Sequence, residues 1–239
     1  MIDPLLLSVV KVLTFRGDQP LTNASGFFFE RDERLFLVTS RHVLWDDLSN
    51  HFPDVIRIAL HVDQDNIAHL VDLTIPLYRD EKAVWRQGSD SAGNIDIALI
   101  EIDRAALASD VVYRAFTRDH LAGDESVDVG TALLVVGFPL GFHDTLHQLP
   151  VARHAIVASC FGLRFQGEGY FLTDARTHRG MSGAPVVMKM AGDGAPGGLP
   201  WVLLGVHSAR LDVGTRDTSI DEALGLNCSW YADMLLPLS

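Results

Sequence analysis

Twelve short apolar runs, rich in Val, Ile, Leu and Phe, punctuate this chain of 239 residues. They span residues 6–15, 25–30, 34–39, 55–62, 67–75, 95–102, 131–137, 153–161, 169–173, 183–189, 201–208 and 223–228. Turn-type residues separate most of them, and few gaps are long enough for a crossover helix. Parallel strands need such crossovers and antiparallel strands do not. The pattern therefore predicts an antiparallel all-β fold, in barrels or a sandwich. Helical signals are brief: a turn or two from Arg41, a stretch near 103–109, and residues 229–236. The polar segment 115–128 lacks strand alternation and suits a junction between two halves. The Gly/Pro-rich residues 193–200 read as an elongated hairpin loop.

With 48% apolar and 21% charged residues, the chain can bury a sizeable core. Its net charge of −12 argues against nucleic acid or an anionic membrane surface as the main partner. Cys160 and Cys228 are the only cysteines, which excludes a disulfide scaffold and suits free thiols in a reducing compartment. The N-terminal apolar run follows Asp3 and Pro4, is broken by Lys11 and has no basic lead, so it makes a poor signal peptide and a plausible first strand. No stretch approaches the ~20 apolar residues needed to span a bilayer. These features set a cytoplasmic location as the expectation.

Three local signatures carry chemistry. Ser182 lies in Arg179-Gly180-Met181-Ser182-Gly183-Ala184-Pro185, where the glycine at 180 lets the backbone N–H groups of Gly180 and Ser182 turn the same way. Two such donors make an oxyanion hole. The last position is Ala184, which departs from the G-x-S-x-G nucleophile elbow. His42 follows the strand-like Leu35-Phe-Leu-Val-Thr-Ser40, at the entry to a short helical turn. Asp96 is a lone charge inside the apolar run from Ile95 to Ile102, so burial would demand a partner, which an imidazole could supply. Hydroxyl, imidazole and carboxylate are the groups that nucleophilic acyl transfer requires.

The order His42, Asp96, Ser182 is that of chymotrypsin-like enzymes, whereas α/β-hydrolases and subtilisins order their triads differently. The blocks around these residues extend the likeness. Ser25-Gly26-Phe27 with Leu37-Val-Thr-Ser-Arg-His42, Asp96-Ile-Ala-Leu99, Val135-Val-Gly-Phe-Pro139, Thr173-Asp-Ala175 and Leu204-Gly-Val-His207 resemble the motifs of trypsin-like serine proteases. The style is that of the HtrA-like, bacterial cytosolic branch, without room for a PDZ domain. The resemblance implies two six-stranded antiparallel β-barrels with a short C-terminal helix. Residues 1–120 would form the barrel with His42 and Asp96, and 121–239 the barrel with Ser182, together one protease unit. It further implies His42 as general base, Asp96 as its orienter and Ser182 as nucleophile. Gly180 and Ser182 would be the oxyanion donors, substrate would pair along 205–209, and no cofactor would be needed. Activity would fall as His42 protonates, near or below pH 7.

Met181 stands where digestive proteases have the Asp that receives a freed N-terminus, so activation of that kind is not expected. The site is then preformed or ordered by something else, such as an activating protein partner. By the same resemblance, Thr177, five residues before Ser182, and His207 match the pair that reads Glu or Gln at P1. Arg176 falls near the pocket floor and disfavours a basic P1. His143 and His147 have the i, i+4 spacing of metal ligands but lack an evident third ligand, so no metal is expected. The reading is a serine endopeptidase acting on polypeptide substrates. Its alternative is a protease-fold binding or regulatory module with a non-productive cleft.

Overall fold

The computed structural model describes residues 2–122, 127–190, 195–210 and 225–239, with Arg210 described by its backbone alone. Among the described residues, each of the twelve apolar runs overlaps a strand. In the first half these are β1 (Val9–Arg16), β2 (Gln19–Arg31), β3 (Arg34–Thr39), β4 (Val55–His61), β5 (Leu70–Pro76), β6 (Tyr78–Arg79), β7 (Lys82–Ala83), β8 (Trp85–Asp90) and β9 (Gly93–Ile102), with α1 (Arg41–Leu44) between β3 and β4. The second half contains β10 (Ala132–Gly137), β11 (Val151–Val157), β12 (Tyr170–Asp174), β13 (Pro185–Lys189), β14 (Trp201–Arg210) and β15 (Leu226–Tyr231), then α2 (Leu235–Leu238).

The second half is the expected closed six-stranded barrel, in the order β10-β11-β12-β15-β14-β13. The first half is a seven-stranded sheet, β5-β4-β1-β2-β3-β9-β8, with β6 and β7 as a separate hairpin. The strand beyond the expected six is β8, whose sequence WRQGSD carries little apolar signal. It pairs with β9 by backbone bonds, Trp85 opposite Ile100 and Asp90 opposite Gly93. The helix expected over 229–236 begins later. Ser229 to Tyr231 finish β15, a 3-10 turn covers Ala232–Met234, and α2 is a single turn. Cys228 is buried on β15 and Cys160, read as a core strand residue, is exposed beyond the end of β11; both are free thiols.

The apolar runs are nearly continuous because several strands bury both faces. On β2, Phe28 enters the core of the first half, while Phe27 and Phe29 enter a core shared with the second half. On β9, Ala98, Ile100 and Ile102 point one way, and Ile95, Ile97 and Leu99 the other. From the second half, β10 sends Leu133 and Val135 into its own barrel and Val136 into the shared core. Period-2 geometry thus builds two interiors and a seam between them. The seam carries the residues that the sequence singles out.

Candidate active site

His42 sits on α1, directly after β3 ends at Thr39. The Thr39 hydroxyl donates to the Ser25 carbonyl at 2.8 Å, and the Ser40 hydroxyl to the His207 carbonyl at 3.2 Å, so both ends of this entry are anchored. Asp96 reaches His42 from β9 with both oxygens. Oδ1 accepts the His42 backbone N–H at 2.9 Å, and Oδ2 lies 2.7 Å from Nδ1. Because the carboxylate accepts, Nδ1 carries the proton and Nε2 is left with its lone pair. Oδ2 also accepts the Ser208 hydroxyl.

The half-buried Asp96 carboxylate stays below its ordinary pKa. Burial pushes it up, and the hydrogen bond and charge of His42, the Ser208 hydroxyl and the His42 N–H together outweigh that push. For His42 burial works against the charge, but the bond to Asp96, its charge and the more distant Asp46 win, so the imidazole pKa is raised.

Ser182 lies in a turn fixed from both halves. The Ser25 N–H donates to the Ser182 carbonyl at 2.9 Å, and the Ser25 hydroxyl to the Gly180 carbonyl at 2.7 Å. The Gly183 N–H donates to the His207 carbonyl at 2.8 Å. Gly180 has φ +91°, and a Cβ there would lie 2.4 Å from the Phe138 carbonyl oxygen. Gly183 has φ +84°, with a Cβ 2.2 Å from the Ser25 carbonyl oxygen. Only glycine fits either place. The Arg179 carbonyl accepts the Leu140 N–H at 2.6 Å. In a trans peptide the N–H points opposite to the carbonyl, so the Gly180 N–H faces away from Leu140. Neither it nor the Ser182 N–H donates to a protein acceptor among the described residues. Met181 is fully buried in the barrel core with Val135, Val186 and Leu204, so apolar packing fills the position at which no Asp-type activation switch is expected.

The Ser182 hydroxyl donates to the Ser208 carbonyl at 3.1 Å, and among the described residues no hydrogen bond joins it to His42. Ser182 and His42 nonetheless share two pockets. One, of about 190 Å³, is lined by His42, His178, Arg179, Ser182, His207 and Ser208, together with Ala209. The other, of about 480 Å³, adds Gly180, residues 22–24 and the loop at Asp46.

The remaining expected site residues are less uniformly placed. His207 is buried, its Nδ1 has no hydrogen-bond partner, and burial together with the nearby His42 pushes its pKa down to about 4. Thr177 is buried and its hydroxyl donates to Asn227, whose Nδ2 is spent on the carbonyls of Thr173, Ala175 and Gly225. Arg176 is exposed and does not line the His207 pocket. Backbone pairing along 205–209 is corrected in part. Gly205 and Val206 have neighbours on both β13 and β15, and His207 gives its N–H to Ala184, so among the described residues only 208–210 lack a strand neighbour on the cleft side, where the Ser208 carbonyl accepts the Ser182 hydroxyl. Nδ1 of His143 lies against the Gly141 carbonyl, and His147 pairs with Asp144, each within its own turn.

Sequence reasoning missed Ser208 and Asn227. Ser208 directly follows the Gly205-Val206-His207 strand, and that adjacency was the available signal. Asn227 has none, since its bonds to Thr173, Ala175 and Thr177 form only when β12 and β15 pair.

Residues 24–193, more than half of the chain, match the trypsin-like peptidase domain. The chain belongs to this family. Among solved structures, this trypsin-like peptidase is similar to the serine endoprotease from Yersinia pestis, at TM-score 0.56 and 17% identity, covering 98% of this chain and 62% of that one. It is also similar to a protease from M. tuberculosis in its active form, at TM-score 0.55 and 15% identity, covering 99% of this chain and 82% of that one. At these identities the likeness is one of fold. No curated protein matches the chain.

Proposed function

We propose that this chain is a serine endopeptidase that hydrolyses peptide bonds through an acyl-enzyme on Ser182. The observation that carries the reading is the two-point grip of Asp96 on His42, by ring and by backbone, in a pocket shared with Ser182 and Gly180. Nε2 of His42 takes the Ser182 proton as Oγ attacks the carbonyl carbon, and returns it to the departing amine. The N–H groups of Gly180 and Ser182 stabilise the developing oxyanion. Residues 1–120 and 121–239 act as two halves of one unit, and the two free thiols suit a cytoplasmic setting.

For P1 we favour Glu or Gln. A neutral His207 lining the small pocket can donate to a side-chain carbonyl or carboxylate, whereas Thr177 is buried outside that lining and gives its hydroxyl proton to Asn227. The decisive experiment is cleavage of a peptide library by wild type and Ser182→Ala, with fluorophosphonate labelling in parallel. Labelling together with cleavage after Glu or Gln that disappears in Ser182→Ala supports both parts. Cleavage after another residue retains the mechanism and removes the pocket assignment.

A second reading is favoured by one observation, the Ser182 hydroxyl donating to Ser208 rather than to His42. In it the cleft is held non-productive, as a binding or regulatory module or as a protease awaiting an activating partner. Absence of fluorophosphonate labelling selects the module.

A further inference from the structure

We propose that Asp46 makes the leaving-group side of this site select a basic side chain, Lys or Arg, at the first residue beyond the scissile bond. This inference rests on the acyl-enzyme reading above.

The two pockets at Ser182 lie on different sides of the nucleophile. The smaller contains His207, Ser208 and Ala209, at the free edge of β14 where the acyl part of an extended substrate would pair. The larger shares His42, Arg179 and Ser182 with it, then runs away from β14 to Thr22, Asn23 and Ala24 and to the loop bearing Asp46, Ser49, Asn50 and His51. A chain crossing Ser182 from the β14 edge must send its amine-side residue into this second pocket.

Arg179 belongs to both pockets and stands at their junction. The acidic side chain confined to the second pocket is Asp46. The Asp46 carboxylate is prepared for a cation. Its Oδ1 accepts the Leu48 N–H at 3.1 Å and its Oδ2 the Ser49 hydroxyl, so two of roughly four lone-pair sites are used. It makes no ion pair among the described residues. The Ser49 hydroxyl does most to hold it ionised below the ordinary carboxylate range; burial opposes this, and the Leu48 N–H, the charge of His42 and the Ser49 N–H add to the lowering. The loop is itself fixed, with Asp46 and His51 exchanging backbone bonds at 2.9 and 3.0 Å and His51 Nε2 lying 3.0 Å from the Val43 carbonyl. The charge is therefore presented from a defined position in the pocket that His42 also lines.

The test reads the amine side without involving P1. A peptidyl p-nitrophenyl ester, with the P1 residue found by the library, forms the acyl-enzyme and releases nitrophenol in a burst. Lysine amide, alanine amide and glutamate amide then compete with water for that intermediate. The α-amine attacks the acyl carbon, the new C–N bond forms, the C–O bond to Ser182 breaks, and the amine proton passes through His42 to Oγ. The partition ratio cancels any effect of a substitution on acylation.

Wild type should favour lysine amide over alanine amide by about three- to fivefold, the scale of a partly exposed ion pair. Asp46→Asn should bring the ratio near one, and Asp46→Glu should retain it. A ratio unchanged in Asp46→Asn, or glutamate amide favoured over alanine amide, overturns the inference while leaving the peptidase reading standing. Absence of any nitrophenol release in wild type above that of Ser182→Ala removes both.

Discussion

The Ser208 hydroxyl donates to Oδ2 of Asp96, the same oxygen that receives Nδ1–H of His42. The Ser208 carbonyl meanwhile accepts the Ser182 hydroxyl. One β14 residue thus touches both the Asp96 carboxylate and the proposed nucleophile. Ser208→Ala removes only the first contact, since the carbonyl belongs to the backbone. A hydrogen bond to a charged group contributes about 1.5–3 kcal/mol, so kcat/KM should fall by roughly tenfold to a hundredfold. Steady-state kinetics on the best library peptide checks this, and an unchanged kcat/KM would mean that the bond is idle.

Gly180→Ala should be more damaging than its size suggests. The added methyl meets the Phe138 carbonyl oxygen at 2.4 Å and Asn23 Oδ1 at 2.7 Å, at a φ of +91°. Relief requires turning the 179–180 peptide, which breaks the Leu140 to Arg179 bond and moves the Gly180 N–H. Loss of one oxyanion donor costs about 10²–10³ in kcat. The expected signature is a fall in kcat with little change in KM; a change confined to KM would contradict the assignment.

Much of this site is legible in the sequence because its chemistry is local. The turn at Ser182 needs two glycines in left-handed backbone, and the charge at Asp96 is conspicuous in an apolar strand. Strand β8 is not legible, because WRQGSD joins the sheet through backbone bonds to β9 and presents few buried side chains. The role of Ser25 is equally hidden. It reads as one residue of a strand, yet its N–H and hydroxyl fix the Ser182 turn from the other half of the molecule, a contact 155 residues away for Gly180. Arg176 is exposed and outside the lining of the His207 pocket, and sequence proximity to Thr177 says nothing about which face its side chain takes.

The pH profile follows from His42. Its pKa is raised above the ordinary 6.5, and in the proposed mechanism the unprotonated ring is the working form. The acid limb of kcat/KM should therefore lie above pH 6.5, with activity lost as pH falls through it. Stability runs the other way, because the His42–Asp96 ion pair contributes fully below 6.5 and is lost as pH rises through the raised value. Asp96→Asn should lower kcat/KM by about 10⁴, as in serine-protease triads, and shift any residual acid limb downward. A limb that stays in place in Asp96→Asn would mean that another group titrates.

Acid stability should report His207. Buried and without a partner at Nδ1, it stays neutral in the fold down to about pH 4, whereas the unfolded chain takes up its proton near 6.5. Between these values the unfolded state binds more protons, so stability drops as pH falls from 6.5 toward 4 and levels below. The contribution is at most about 3 kcal/mol, from roughly two and a half pKa units. His120, lowered chiefly by burial, acts in the same direction. Asp96 acts lower, since its depressed pKa costs stability only below the ordinary 3.8. Urea midpoints at pH 7 and pH 5 for wild type and His207→Gln separate these effects. The variant should be less stable at pH 7 yet lose less between the two pH values, because the neutral amide takes up no proton on unfolding. Equal losses in both proteins would place the acid sensitivity at His120 and remove His207 as its source.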